Sequence, residues 1–453
     1  MQVSDTKASR ARSSLDIPFI LFSLFMLAVF FAGGSSWSDE PHLIFLRPLA
    51  FVVAAIGIWS LKLEHIRQFW AVWFIFGLAT LLTAAHLVPL PYDVWSNLPG
   101  RQVIVDIDKA VGLVQISRPM SMSPDETLNS LLSLSVPFAL LVLASQFDGL
   151  RHRRALGVVL LLSFTSAAAG LLQATGADIV LYSRQASQDV AGLFVNRNHQ
   201  AALLALIFPM AAVAISAGAG MGLPRKIEAF AGASMCLVVV PLLLITGSRT
   251  GLLVAGASLV FVFAFGLLPL KRVAIRPWVR YSAALASVGA LVWATVWASR
   301  DVAFMRLEDR TEDLRWPVWQ SIVDMLPHYL PWGTGVGSYV DAYKVLEPDS
   351  LLRPTFSNHA HNEVLEVLFT AGIPGAALVL LAAVFLAATA WRGLSSSGDA
   401  ALFKRLGILV IILLAIASIS DYPVRTPILS AVIVLAAIWA SASQSLFHKS
   451  DHQ

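Results

Sequence analysis

The sequence predicts an all-α, polytopic membrane protein of about twelve transmembrane helices, and three observations predict it. Only 13% of the 453 residues are charged and 57% are hydrophobic, whereas a soluble domain carries about a quarter charged residues. A water-surrounded interior cannot absorb that much apolar surface, but a bilayer can. Twelve runs approach the ~20 mostly apolar residues that a crossing helix needs. Lys and Arg gather in every second connection, as short cytoplasmic loops require.

The runs cover 16–33, 43–61, 69–88, 129–147, 155–175, 199–218, 228–246, 250–270, 281–299, 363–391, 401–420 and 427–446. Pro137, Pro209 and Pro241 fall inside runs, where kinks are tolerated if neighbouring helices satisfy the freed carbonyls. The first run follows a basic stretch (Lys7, Arg10, Arg12) and precedes Ala32-Gly33-Gly34. That suits a cleavable signal peptide, but no Ala-x-Ala site follows, so a retained anchor is expected.

With both termini in the cytoplasm, the inward side holds 18 basic and 7 acidic residues, and the outward side 14 basic and 21 acidic. This asymmetry fixes the expected orientation and helix count together, since losing one helix would invert the pattern downstream. The outward loops are then 34–42, 89–128, 176–198, the tight turn 247–249, the long loop 300–362 and the tight turn 421–426. In the loop 89–128, Arg101–Asp108 alternates and predicts a short strand or hairpin. In the long loop, Arg315–Leu326 has helical spacing and Pro327 and Pro331 are expected to end it. The lone Cys236 excludes a disulfide framework. No basic stripe interleaved with aromatics is present, so nucleic acid is not an expected partner.

Several polar groups fall on the outward side. Arg249 (Thr-Gly-Ser-Arg-Thr-Gly) and Arg425 (Asp-Tyr-Pro-Val-Arg-Thr-Pro) lie in tight turns between apolar runs, and Arg197 precedes a run. Arginines there can snorkel to headgroups as anchors; a guanidinium at the membrane surface can equally bind a phosphate through two donors. Asp421 is available to neutralise Arg425. Arg315 follows Glu308, Asp309, Glu312 and Asp313, which suits a solvated helix with weak local ion pairs. His359 and His361 flank Ala360 and precede Asn362-Glu363. No further ligands stand at zinc-like spacing. Asn358 or Asn362 suits a helix cap, and an imidazole at that point suits a general base. Asp106-x-Asp108 fits a common metal-holding tripeptide but is read as a strand face. Gly333, Gly335 and Gly337 lack the strand context of a nucleotide loop and are read as a tight turn.

Taken in order, these segments resemble the O-antigen ligase and polysaccharide polymerase superfamily of bacterial inner-membrane proteins. Gly192-Leu-Phe-Val-Asn196-Arg-Asn198-His resembles its glycine–phenylalanine–asparagine segment, and Gly247-Ser248-Arg249 its Ser-Arg turn. Arg315-x3-Trp319, followed by Gly333-Thr-Gly335, resembles its large periplasmic loop. His361-Asn362-x2-Leu365 with Gly372-x2-Gly375 resembles its His-Asn signature, and Asp421-x3-Arg425 its late turn. The likeness covers roughly 190–430, which divides the chain into N-terminal helices at 1–190 and a ligase-like domain at 191–453.

The resemblance implies glycan transfer on the periplasmic face of the inner membrane, without a metal or nucleotide cofactor. The donor is an undecaprenyl-diphosphate-linked glycan. The acceptor is a sugar hydroxyl, on lipid A-core for a ligase or on a lipid-linked repeat for a polymerase. It implies that Arg249 and Arg315 hold the diphosphate, Arg306 and Arg310 being alternatives to Arg315, and that His361 deprotonates or orients the acceptor, with inversion at the anomeric carbon. His359, Arg425, Arg197 and Asn198 are secondary candidates. A transporter or flippase of lipid-linked sugars, or a non-catalytic export partner, would fit the helix count. A transporter calls for polar groups at mid-membrane, whereas here the runs are nearly clean and the charges gather on one side.

Overall fold

The computed structural model describes residues 16–185, 189–268, 282, 315–353, 358–393 and 397–448. The first half of the chain contains α1 (Ile17–Ala32), α2 (Leu43–Ser60), α3 (Leu63–Gln68), α4 (Trp70–Ala85), α5 (Tyr92–Trp95), α6 (Gln102–Ala110), α7 (Pro124–Ser133), α8 (Ser135–Ala144), α9 (Gly149–Ala174) and α10 (Arg197–Ala217). Then come α11 (Arg225–Thr246), α12 (Arg249–Ala264), α13 (Arg315–Tyr329), α14 (Tyr339–Leu346), α15 (Glu363–Gly393), α16 (Asp399–Ala417), α17 (Pro427–Ala440) and α18 (Gln444–His448).

Among the described residues, seven helices are long and apolar enough to cross a membrane, the joined α7–α8 included, and four shorter apolar helices accompany them. These eleven match eleven of the twelve expected runs. The ninth, 281–299, lies outside the described residues except for Ser282, as do Glu308, Asp309, Glu312, Asp313, Arg306 and Arg310. The protein is a polytopic all-α membrane protein.

Helix α10 is its axis. It is buried over nearly its whole length and packs against α9, α11, α12 and α16, while α8 joins α2 to α17. Lipid is as apolar as leucine, so packing and interhelical hydrogen bonds do the work that water does elsewhere. Alanine-rich faces on α10 allow close approach. Ser258 of α12 donates to the Ala205 carbonyl, and Ser166 of α9 donates to Gln200 of α10. Ser166 Oγ also accepts from the Leu193 amide, so the buried Gly192-Leu-Phe stretch is seated against α9.

The connections sort onto two ends. At one end Arg151 pairs with Asp16 at 2.8 Å, Arg153 pairs with Asp399, and Arg405 donates to the Phe265 carbonyl. At the other end the Val195 amide donates to Gly34, Arg184 grips Asp39, and the buried Arg101 donates to the carbonyls of Pro99, Met120 and Gly333. These contacts bring together the loops 34–42, 89–128 and 176–198 and the described part of 300–362. The alternation read from Lys and Arg therefore has a geometric counterpart.

Two local expectations are corrected. Arg101–Asp108 does not form a strand: Gln102–Ala110 is helical, with Arg101, Val105 and Asp108 turned inward at helical spacing. Gln102 bonds Asp106 across one turn at 2.7 Å, while Asp108 is held by Arg118. The only strand pairing among the described residues is Pro89–Leu90 with Arg118–Pro119. The second correction is α13, which continues through Pro327 to Tyr329, with the Leu330 amide still bonded to Leu326. Proline removes a single donor in that last turn, and the chain leaves the helix before Pro331.

In the long loop, α13 and α14 build a small core of their own from Ile322, Met325, Tyr329, Tyr339 and Tyr343, closed by Ala360 and Phe369. The turn Gly333–Gly337 locks this core to the rest. Thr334 and Gly335 donate to the carbonyls of Phe369 and Thr370, and the Ile373 amide donates to Pro331. The α15 backbone opens to receive the turn at Gly372, whose φ of 61° and ψ of −155° break the helix. Gly337, at φ 85°, lies against α7, where an added Cβ would come 2.6 Å from the Glu126 carbonyl. These glycines therefore serve close packing, as a tight turn does.

Gly337→Ala meets both that contact and the left-handed backbone. It should cost about 2 kcal/mol, read as a lowered melting temperature of the full-length protein in detergent. An unchanged melting temperature would show that the turn is not a latch.

Candidate active site

The end of the long loop, Asn358–Glu363, meets the turn 420–426. Asn362 caps α15 by accepting the Leu365 amide at 3.1 Å, and His361 just before it takes a left-handed φ of 50°. That conformation is uncommon outside glycine, and histidine is among the residues that adopt it more readily. It directs the two histidines to different carboxylates. His359 Nδ1 lies 2.9 Å from Glu366, one turn into α15. His361 Nδ1 lies 3.4 Å from Asp421.

Both carboxylates are buried, and each needs compensation. Glu366 receives His359, the Ala360 amide at 2.8 Å and Arg425 at 2.9 Å. Asp421 receives the Asn198 amide at 2.7 Å and the Tyr422 amide at 3.0 Å, with His199 at 3.5 Å. Tyr422 stands between the two arrangements, its ring 4.2 Å from His359, 4.9 Å from His361 and 5.0 Å from His199. Its hydroxyl exchanges hydrogen bonds with Asn358.

Burial pushes the Asp421 carboxyl up, but the approach of His199 and His361 outweighs it and holds the carboxyl well below the ordinary range. Burial likewise pushes the Tyr422 phenol up, so it remains a neutral donor and acceptor. His361 Nδ1 is buried against Asp421 while the side chain keeps 29% exposure, so the accessible edge is the one carrying Nε2. An imidazole held through Nδ1 by a carboxylate, with Nε2 outward, is arranged to accept a proton.

The arginines divide. Arg425 grips Glu363 with two donors, at 2.6 and 2.9 Å, and reaches Glu366 as well. Asp421, expected as its neutraliser, faces the histidines instead. Arg197 pairs with Asp189 at 3.5 Å, while its neighbours Asn196 and Asn198 point into the site: Asn196 caps α10 and touches the Tyr422 hydroxyl, and Asn198 holds Asp421. Arg249 is exposed and has no ion pair among the described residues. It is the first residue of α12, after the Ser248 cap, where the helix dipole already favours an anion and a cation gains nothing from the helix. Next to it, Thr250 bonds Ser420 at 2.8 Å, and Ser420 precedes Asp421. Arg315 is the first described residue of α13. One turn on, Trp319 donates to the Ala360 carbonyl between the histidines at 2.8 Å. Residues four apart share a helix face, so Arg315 lies on the face turned toward them.

Residues 233–380 match a family model described as O-antigen ligase. The match covers about a third of the chain and makes that segment similar to the O-antigen ligase family. The matched segment contains Arg249, Arg315, His359 and His361; Asp421 and Arg425 lie beyond it. No curated protein matches the chain. Together with the seven long apolar helices, this likeness supports a multi-pass membrane protein related to glycan ligases and polymerases.

Sequence reasoning had no role for Glu366, Tyr422 or His199, and it gave Asp421 the wrong partner. Glu366 had a usable signal: an acid inside an apolar run must be paired. The order of the chain gave no such signal for Tyr422 or His199.

Asp421→Asn should destabilise the protein by about 3 kcal/mol, because the donors gathered around the buried carboxylate lose a charged acceptor. The folded carboxyl has a lowered pKa. The stability that it contributes is therefore fully present above its unfolded value of about 4 and is lost as pH falls below that. Thermal unfolding of both proteins across pH should show a gap that narrows on acidification; a gap constant down to pH ~2 would contradict the assignment. Arg425→Ala should cost a similar ~3 kcal/mol by leaving Glu363 and Glu366 uncompensated. Arg249→Ala should leave the melting temperature unchanged.

Proposed function

We propose that the protein transfers a glycan from an undecaprenyl-diphosphate carrier to a sugar hydroxyl at the periplasmic face of the inner membrane, with both termini in the cytoplasm. The observation that carries this reading is the adjacency of two opposite devices. A histidine backed by a buried carboxylate sits beside a turn that bears, at a helix N-terminus, an arginine with no ion pair among the described residues.

The chemistry needs both. The acceptor oxygen attacks the anomeric carbon of the donor sugar. The bond from that carbon to the diphosphate oxygen breaks, and the lipid diphosphate leaves with the electron pair. The acceptor proton passes to His361 Nε2, and Asp421 stabilises the imidazolium. Charge grows on the leaving group at the membrane surface, where Arg249 and Arg315 are held to receive it. Attack from the face opposite the diphosphate inverts the anomeric carbon. His359 and Arg425 fix the loop end through Glu366, and Asn198 orients Asp421.

The charged groups lie at helix ends on one side, which supports an enzyme of lipid-linked substrates over a carrier with a mid-membrane site. Ligase and polymerase would use the same arrangement.

In a strain lacking the gene, the wild-type chain should restore surface glycan. His361→Ala should lower transfer by about two to four orders of magnitude, as loss of a general base does. Arg249→Ala should abolish detectable product at normal protein abundance. Gel analysis of surface glycan, with extraction of accumulated lipid-linked oligosaccharide, reads both. Normal glycan in both variants would refute the transferase reading. Core bearing single repeats would identify a polymerase, and core without glycan a ligase.

A further inference from the structure

A cleft of about 580 Å³ opens beside the site, on a side that none of the roles above uses. His359, Asn358 and Arg425 form one end of it. Neither Arg249, Arg315 nor His361 lines it. The outer rim is the Ser35–Asp39 segment, made rigid because Arg184 grips Asp39 at 2.5 and 2.6 Å while its guanidinium lies 4.0 Å above Trp37. The deep wall is apolar and comes from membrane helices: Leu43, Phe76, Val136, Pro137, Ile433 and Val434. Between rim and wall lie hydroxyls and an amide, from Ser130, Ser133, Ser430 and Asn129.

The charges of the cleft say what it can hold. Arg425 is already matched by Glu363 and Glu366, and Arg184 by Asp39. What remains is Arg47 facing two carboxylates, Glu126 and Asp341. Arg47 bonds Asn129 through one terminal nitrogen at 2.5 Å, and its buried Nε has no hydrogen-bond partner. No salt bridge within 4 Å joins it to Glu126 or Asp341 among the described residues. A phosphate or carboxylate placed here would meet one guanidinium and two like charges. A neutral polyol satisfies both kinds of group, its hydroxyls donating to the carboxylates and accepting from Arg47. The apolar wall suits a hydrocarbon chain on the same molecule.

We propose that this cleft holds the saccharide of the acceptor, with Arg47, Glu126 and Asp341 orienting its hydroxyls and the membrane-side wall taking its lipid chain. The assignment to the acceptor rests on the transferase reading, since the negative surplus of the cleft disfavours the donor diphosphate. The binding site itself does not rest on it. An acceptor seated here lies against His359, two residues from His361, while Arg249 and Arg315 lie outside the cleft, so acceptor and donor are held by different residues.

The test is photolabelling of the full-length protein in nanodiscs with a diazirine-bearing dodecyl glucoside, compared with a diazirine phosphatidylglycerol, and peptide mapping by mass spectrometry. The glucoside should label the stretches 35–43 and 130–137. Ser133→Trp, an exposed position filling the cleft, should reduce that labelling at least about fivefold, and Arg47→Gln by a similar factor, as loss of about 1 kcal/mol of contact predicts. Ser133→Ala should label as wild type, and an unchanged melting temperature should confirm folding. Labelling that matches that of the lipid-facing stretch 379–384, or that ignores Ser133→Trp, would overturn the site. So would stronger labelling of the cleft by the anionic probe. Surface glycan should be lost in Ser133→Trp cells. Normal glycan there, with labelling abolished, would overturn the acceptor assignment and leave the transferase reading to the His361→Ala result.

Discussion

Two carboxylates buried at the end of a helix bundle set the terms for everything around them. Glu366 and Asp421 are removed from water almost completely, and an uncompensated buried charge costs several kcal/mol. The cost is met by groups from distant parts of the chain: Arg425 and His359 for one, Asn198, His199 and His361 for the other. Satisfying these two acids pins the late turn to the end of the long loop and to the start of α10. The position of His361 follows from that demand. The geometry around His361 is one that electrostatics would impose whatever the site does.

The same demand separates arginines that a sequence cannot tell apart. Arg425 meets an acid with each of its three guanidinium nitrogens, and removing it would strain the fold. Arg249 stands at a helix N-terminus, where it repels the helix that carries it, and among the described residues nothing relieves it. Within the described residues the fold gives Arg249 no electrostatic reason to stand there. Burial and pairing supply this distinction; the motif does not.

Much of the architecture was legible because bilayer crossing imposes length and charge rules on each segment separately. Eleven apolar runs and the alternation of Lys and Arg follow from those rules. Local structure outside the bilayer was less legible. Arg101–Asp108 alternates like a strand for part of its length, yet the inward set Arg101, Val105, Asp108 has helical spacing, and the contacts with Gly333 and Arg118 decide the outcome. In the site, His361, Arg249 and Arg315 stand out as candidates because residue chemistry and the expected side of the membrane restrict the choice. Their supports could not. Tyr422 and His199 matter only because three segments converge, two of which, the start of α10 and the late turn, are more than 200 residues apart in sequence. The partner of Asp421 was misassigned for the same reason: Arg425 is near it in sequence, but the histidines are near it in space.

The opening in α15 at Gly372 has a mechanical meaning. Below it the helix is bounded by lipid, with Val379, Leu380 and Val384 exposed. Above it the same helix carries Glu363 and Glu366. The glycine turn of the loop is hydrogen-bonded into the opening itself, through Pro331, Phe369 and Thr370. A change in tilt of the lower segment, such as a thicker or thinner bilayer imposes, is therefore transmitted at a hinge that the loop already grips. One helix thus joins a lipid-facing segment to the carboxylate that holds His359, across a break that the loop fills.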